Sequence, residues 1–200
     1  MKIKYNAPVV LTFALVSASV LVLAQILGQQ FVVRFFSVPG YTQRVRLLSP
    51  EAFRLITHVI GHGSWLHLMS NFAFVLLIGP ILEEKYGSAP LFVMMLITAL
   101  ATGILNMLFF PTGLLGASGI VFMLILLISF TNIREGEIPL TFILVVLLFL
   151  VKEILSIFEN NNISEFAHIA GGICGALFGF LFRGRRTSPE GTPEDPADFP

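Results

Sequence analysis

Charge is what this 200-residue sequence has least of. Asp, Glu, Lys and Arg together make 12% of it, against 56% hydrophobic residues, and its mean hydropathy is +0.87. Soluble domains carry about 25% charged residues, so a soluble globular fold is excluded and an all-α polytopic membrane protein is implied. Acids and bases balance at 12 each, which gives no pointer to nucleic acid. There is one cysteine, Cys174, so no intramolecular disulfide can form; it falls in an apolar run and reads as packing. No aspartate precedes Asp195, which removes an aspartate-assisted Ser-His-Asp triad from everything but the tail.

What the chain has in quantity is apolar sequence, in runs long enough to cross about 30 Å of hydrocarbon as helices. They fall at Pro8–Leu27, Gly63–Leu82, Leu91–Phe110, Leu114–Thr131, Pro139–Phe158 and Phe166–Phe182, and predict a six-transmembrane-helix bundle. The first run exceeds the ~7–15 residues of a secretory h-region and lacks an Ala-x-Ala cleavage site, so it is read as a mature span. With the termini inside, Lys2, Lys4, Lys85, Arg134, Arg183, Arg185 and Arg186 are cytoplasmic, while Arg34, Arg44, Arg46 and Arg54 are outside. This bias favours cytoplasmic termini. The connection from Gly28 to about His62 interleaves Phe31, Val32, Val33, Phe35 and Phe36 with arginines, the pattern of a segment lying in the headgroup region. Residues 1–7 read as a cytoplasmic N-terminus, 8–182 as the membrane domain, and 183–200 as a cytoplasmic tail. The tail's Pro- and acid-rich part, Thr187–Pro200, is expected to be disordered.

Polar groups inside membrane spans are costly and are functional candidates by default. Alternating directions put the starts of spans two, four and six at the outer face, so His67, Asn71, Ser118 and His168 share one depth. His67 and Asn71, at i and i+4, project from one helical face and either donate towards a developing oxyanion or bond a neighbouring helix. Ser118 lies between Gly116 and Gly119, at a helix start whose unbonded amides support negative charge; small-residue patches also serve plain packing. Gly171, Gly175 and Gly179 repeat at four-residue intervals, with His168 three residues before the first. That stripe lets the sixth span approach a neighbour closely, and if the neighbour is span four, His168 comes within reach of Ser118. Glu165 is the only acid near His168 in sequence, and it reads as a loop residue. His58, His62 and His67 have no acidic partner on their helix, so a metal site is not expected; His58 and His62 read as interface or supporting residues. No cofactor is expected.

Taken together these motifs resemble those of the rhomboid intramembrane serine proteases, over roughly Phe53 to Phe182. His62-x4-His67-x3-Asn71 is similar to the family's second-helix motif, Gly116-Ala117-Ser118-Gly119 to its nucleophile motif, and Ala167-His168-Ile169-Ala170-Gly171 with Gly175 to its sixth-helix motif. The resemblance implies Ser118 as nucleophile, His168 as general base and acid, and His67, Asn71 and the Ser118 amide as oxyanion donors. It implies supporting roles for Gly116, Gly119, Phe122, Gly171 and Gly175. Phe53-Arg54 stands where the family often has Trp-Arg, and Glu83 where it has a structural acid. Phe122 stands where many members have Tyr, a difference that preserves stacking on His168 and removes the hydroxyl. The expected activity is endopeptidase cleavage of transmembrane segments of other membrane proteins near the outer face, in a bacterial inner membrane, with membrane lipid as the surrounding partner. The alternative is a non-catalytic relative that binds membrane clients for trafficking or quality control; its hallmark, loss of the serine or histidine, is absent. A transporter would show broken helices, inverted repeats and charged midplane residues, and none stands out.

Overall fold

The computed structural model describes residues 5–43, 50–131 and 165–182, together with 140, 143, 144, 147, 148 and 151. The described chain is all-helical, an apolar membrane bundle without strands among the described residues. Three helices are long and apolar enough to cross a membrane: α1 (Pro8–Leu27), α4 (Trp65–Tyr86) and α5 (Ser88–Phe109). Between the first two lie the short helices α2 (Gln29–Phe35) and α3 (Arg54–Thr57), and after them come the apolar helices α6 (Ser118–Thr131) and α7 (Glu165–Leu181). Of the expected fifth span only Leu140, Ile143, Leu144, Leu147, Leu148 and Val151 are described; all are helical, with exposed side chains. The rest of that span, the tail from 183 onward and the side chain of Glu165 lie outside the described residues.

Helix ends follow from local chemistry. Ser64, in extended backbone, caps α4 by accepting the His67 N–H at 3.2 Å, so His67 stands in the first turn and Asn71 one turn deeper. The N-terminus of α1 has Pro8 at its start and no side-chain cap of its own. Its unsatisfied amides are met from α4: Glu83 Oε1 accepts the Val9 N–H at 2.9 Å and Oε2 the Val10 N–H at 3.0 Å, while the Ser88 hydroxyl donates to Oε1 at 2.7 Å. A negative charge at a helix N-terminus also opposes the helix dipole favourably. One buried carboxylate therefore joins α1, the end of α4 and the beginning of α5.

The connection after α1 folds back onto the bundle. Arg54 holds it: its Nε donates to the Ser37 carbonyl at 2.6 Å and its guanidinium also to Val33 at 3.1 Å, while the Thr57 hydroxyl donates to Phe35 at 2.9 Å. Val32 and Val38 are buried, whereas Val33, Arg34 and Phe35 stay exposed.

The main departure from the expected spans concerns residues 110–117. Hydropathy begins a helix at Leu114, but the helix begins at Ser118. Leu114 instead exchanges two backbone hydrogen bonds with Val38, at 2.8 and 2.9 Å, and Gly116 has φ +113, a conformation that side-chain-bearing residues avoid. Irregular backbone at such a position is tolerated where protein surrounds it, and Leu114, Gly116 and Ala117 are all buried. The consequence is that Ser118 is the first residue of its helix rather than several residues into it.

Candidate active site

Ser118 is half-buried at the start of α6, where the first amides have no intrahelical acceptor. The α7 backbone lies directly against this turn. A Cβ added to Gly171 would overlap the carbonyl of Gly119, and one on Gly175 the carbonyl of Met123, so both glycines are required by backbone contact. Phe122, one turn along α6 from Ser118 and on the same face, meets the His168 ring at a centroid distance of 4.6 Å and an interplanar angle of 38°. His168 is buried. The His168 imidazole thus packs on a ring that lies one helical turn from Ser118 and on the same face of α6.

The first turn of α4 approaches Gly116, two residues before the serine. A Cβ on Gly116 would come within 2.6 Å of the His67 ring and 3.7 Å of the Asn71 amide nitrogen. Glycine at this position therefore serves twice, for its backbone angle and for the approach of the imidazole. His67 is half-buried and Asn71 buried.

Joining these parts is His62, which from sequence alone reads as no more than a supporting residue. Its Nδ1 lies 3.1 Å from the Ile60 carbonyl, and its Nε2 receives the Asn71 amide at 3.2 Å and the Ala117 N–H at 3.4 Å. A ring nitrogen facing a carbonyl must donate, and one facing two N–H groups must accept. The partners therefore assign His62 as the neutral Nδ1–H tautomer. Burial, with the nearby His67 adding to it, pushes its pKa down to about 4. An amide nitrogen carries two hydrogens, so Asn71 retains a second one to donate.

Behind the serine, Gly116 N–H donates to the His58 carbonyl at 2.9 Å, and His58 Nε2 lies 3.3 Å from the Thr102 hydroxyl. Thr98, Thr102 and Asn106 form a polar ladder at four-residue intervals on α5, all buried. Asn106 donates to the Thr112 carbonyl at 3.0 Å, which secures the irregular segment from below. Their regular spacing is plain in the sequence but is a weak signal there, because threonines in apolar helices usually bond back to their own helix; Thr98 and Thr102 do so here as well. Among the described residues no group of three or more His, Cys, Asp and Glu side chains converges as a metal site.

A family model described as the Rhomboid domain matches residues 49–185. The rhomboid protease GlpG of Pectobacterium atrosepticum is 28% identical over 186 residues, covering 91% of this chain and 65% of that protein. The rhomboid protease GlpG of Haemophilus influenzae is 25% identical over 179 residues, covering 86% of this chain and 90% of that one. RHOMBOID-like protein 1 of Arabidopsis thaliana is 28% identical over 138 residues, or 66% of this chain and 35% of its own length. The chain thus spans just under two thirds of the Pectobacterium relative and about a third of the plant one.

Proposed function

The chain belongs to the rhomboid family, and we propose that it is an intramembrane serine endopeptidase that cuts transmembrane segments of other membrane proteins near the outer membrane face by a Ser118–His168 dyad. The observation that carries this reading is the contact of α7 on the first turn of α6, with Gly171 against Gly119 and His168 over Phe122, one turn from Ser118. In the reaction Ser118 Oγ attacks the scissile carbonyl carbon while His168 takes the hydroxyl proton. The carbonyl oxygen becomes an oxyanion, held by the Ser118 N–H, the His67 ring and the second N–H of Asn71. Collapse breaks the C–N bond, His168 returns the proton to the leaving amine, and an acyl-enzyme remains. Water, deprotonated by His168, then releases the new carboxyl end and restores the serine.

A peptide bond inside a helix is shielded by its own hydrogen bonding, so the substrate segment must unwind; Gly, Pro or small residues near the scissile bond favour this. The membrane domain of this reading is 8–182, with 1–7 and 183–200 on the cytoplasmic side of a bacterial inner membrane. Support for that orientation comes from the distribution of Lys and Arg.

The test uses the full chain in lipid bilayers with a panel of single-pass substrates. Wild type is expected to cleave at least one and to be labelled on Ser118 by an active-serine phosphonate. Ser118→Ala and His168→Ala are expected to lose cleavage while keeping helical content and unfolding midpoint, since nucleophile and base act as a unit. Substantial turnover by either purified variant would overturn the dyad.

A further inference from the structure

His168 stands between two fixed points of α7, and the sequence motifs account for one of them. Three residues after it, Gly171 presses on the Gly119 carbonyl. Two residues before it, Phe166 packs on Phe110 with centroids 4.9 Å apart and planes at 34°, and lies beside the Phe109 ring with centroids 6.5 Å apart. Two residues along a helix is about 200° of rotation, so Phe166 faces away from the His168 side. It secures α7 from the opposite flank.

Phe110 is itself anchored. It ends α5 in extended backbone, with its N–H on the Asn106 carbonyl at 3.0 Å and its own carbonyl accepting the Tyr41 N–H at 2.7 Å. It also begins the segment that runs through Leu114 and Gly116 to Ser118. The ring pair therefore connects the first turn of the histidine-bearing helix to the start of the serine-bearing segment, and does so outside the glycine contact. Gly171 and Gly175 hold the α7 backbone against the carbonyls of Gly119 and Met123, but both lie after His168 in the chain, so the turn that precedes the imidazole is held by neither glycine. Stacked rings 4.9 Å apart prefer a defined offset, which fixes that turn against the end of α5.

We propose that Phe166, by stacking on Phe110, is a positioning residue for the reaction, setting the His168 imidazole relative to Ser118. The inference rests on the protease reading above. A misplacement on the order of 1 Å costs ~10²-fold in rate, and partial loosening costs less, so a loss of about tenfold is expected.

The experiment compares wild type, Phe166→Ala, Phe110→Ala, the double variant and Phe166→Tyr in bilayers, measuring kcat, KM and the rate of phosphonate labelling. Both alanine variants should lose kcat by about tenfold, with KM unchanged within about twofold and labelling slowed by the same factor as kcat. The double variant should be no worse than either single one, and Phe166→Tyr, which keeps the ring, should restore the rate. Should the alanine variants fail to fold, Phe166→Leu keeps apolar volume without a ring and is expected to show the same kcat loss. Unchanged kcat and labelling, or additive losses in the double variant, would overturn the inference while leaving the protease reading standing. A rise in KM with kcat intact would also overturn it, since the rings would then be touching substrate. Absence of both cleavage and labelling in wild type would instead bring down the protease reading itself.

Discussion

His62 Nε2 accepts the Asn71 amide at 3.2 Å, so a histidine in the connection before α4 fixes the orientation of a side chain on α4. Because the same nitrogen also receives the Ala117 N–H, the amide of Asn71 and the residue before Ser118 are referred to one atom. Loss of one oxyanion donor typically costs about 10²–10³-fold, and His67→Ala and Asn71→Ala are each expected to lower kcat by that order without ending turnover. His62→Ala should do likewise although it touches no substrate, because Asn71 and Ala117 lose their common acceptor. Steady-state kinetics in bilayers check this; unchanged rates in His67→Ala, Asn71→Ala and their double variant would return those two residues to packing.

Gly171→Leu or Gly175→Leu places a branched side chain where the α7 backbone meets the carbonyl of Gly119 or Met123. The helices must separate, and at ~10²-fold per ångström both cleavage and phosphonate labelling of Ser118 should fall steeply. Labelling at the wild-type rate in both variants would contradict the proposed dependence of the reaction on this contact.

The connection between α1 and α4 should also make the protein sensitive to acid. Burial lowers both His58 and His62 from 6.5 to about 4. Between those values the unfolded chain takes up protons that the folded one refuses, so the stability these two rings contribute is full above pH 6.5, falls as pH drops towards 4, and changes no further below that. The loss is on the order of 3 kcal/mol for each ring. Unfolding midpoints in detergent micelles across pH 4–7 would trace it. His62→Gln, which keeps an acceptor and cannot titrate, should remove that residue's share of the slope.

Glu83→Gln is expected to lower stability by about 2 kcal/mol or more, since hydrogen bonds to a charged group contribute ~1.5–3 kcal/mol and the amide turns a donor towards the Val9 and Val10 N–H groups. Chemical unfolding in micelles measures it. Rates well below the unfolding midpoint should stay near wild type, because Glu83 touches neither Ser118 nor His168.

Much of this is legible in the sequence. The long apolar helices, the shared face of His67 and Asn71, and the four-residue glycine interval on α7 all follow from periodicity, which records local geometry. What periodicity misreads is the approach to Ser118. Leu114 and Leu115 look like the first turn of a helix, yet hydropathy cannot separate a buried helix from buried irregular chain. The choice is made by partners distant in sequence: Val38 for Leu114, and the His58 carbonyl for Gly116. The part of His62 is hidden for the same reason, since a histidine with both ring nitrogens satisfied looks, from its neighbours alone, like any other buried histidine. Phe110 and Phe166 are two among 20 phenylalanines, and their pairing emerges only when α5 and α7 are brought together.

The carboxylate that completes the first turn of α1 also carries a statement about biogenesis. Glu83 is separated from Val10 by 73 positions along the chain, so when α1 leaves the ribosome its acceptor has not yet been made. During that interval the Val9 and Val10 amides must rely on water or lipid headgroups at the membrane boundary, because hydrocarbon offers them no partner. Only after α4 has been made to its far end can these two amides gain their protein acceptor. The first turn of α1 is thus completed by a residue made later than the whole of α1, and the two helices depend on each other only once Glu83 is in place.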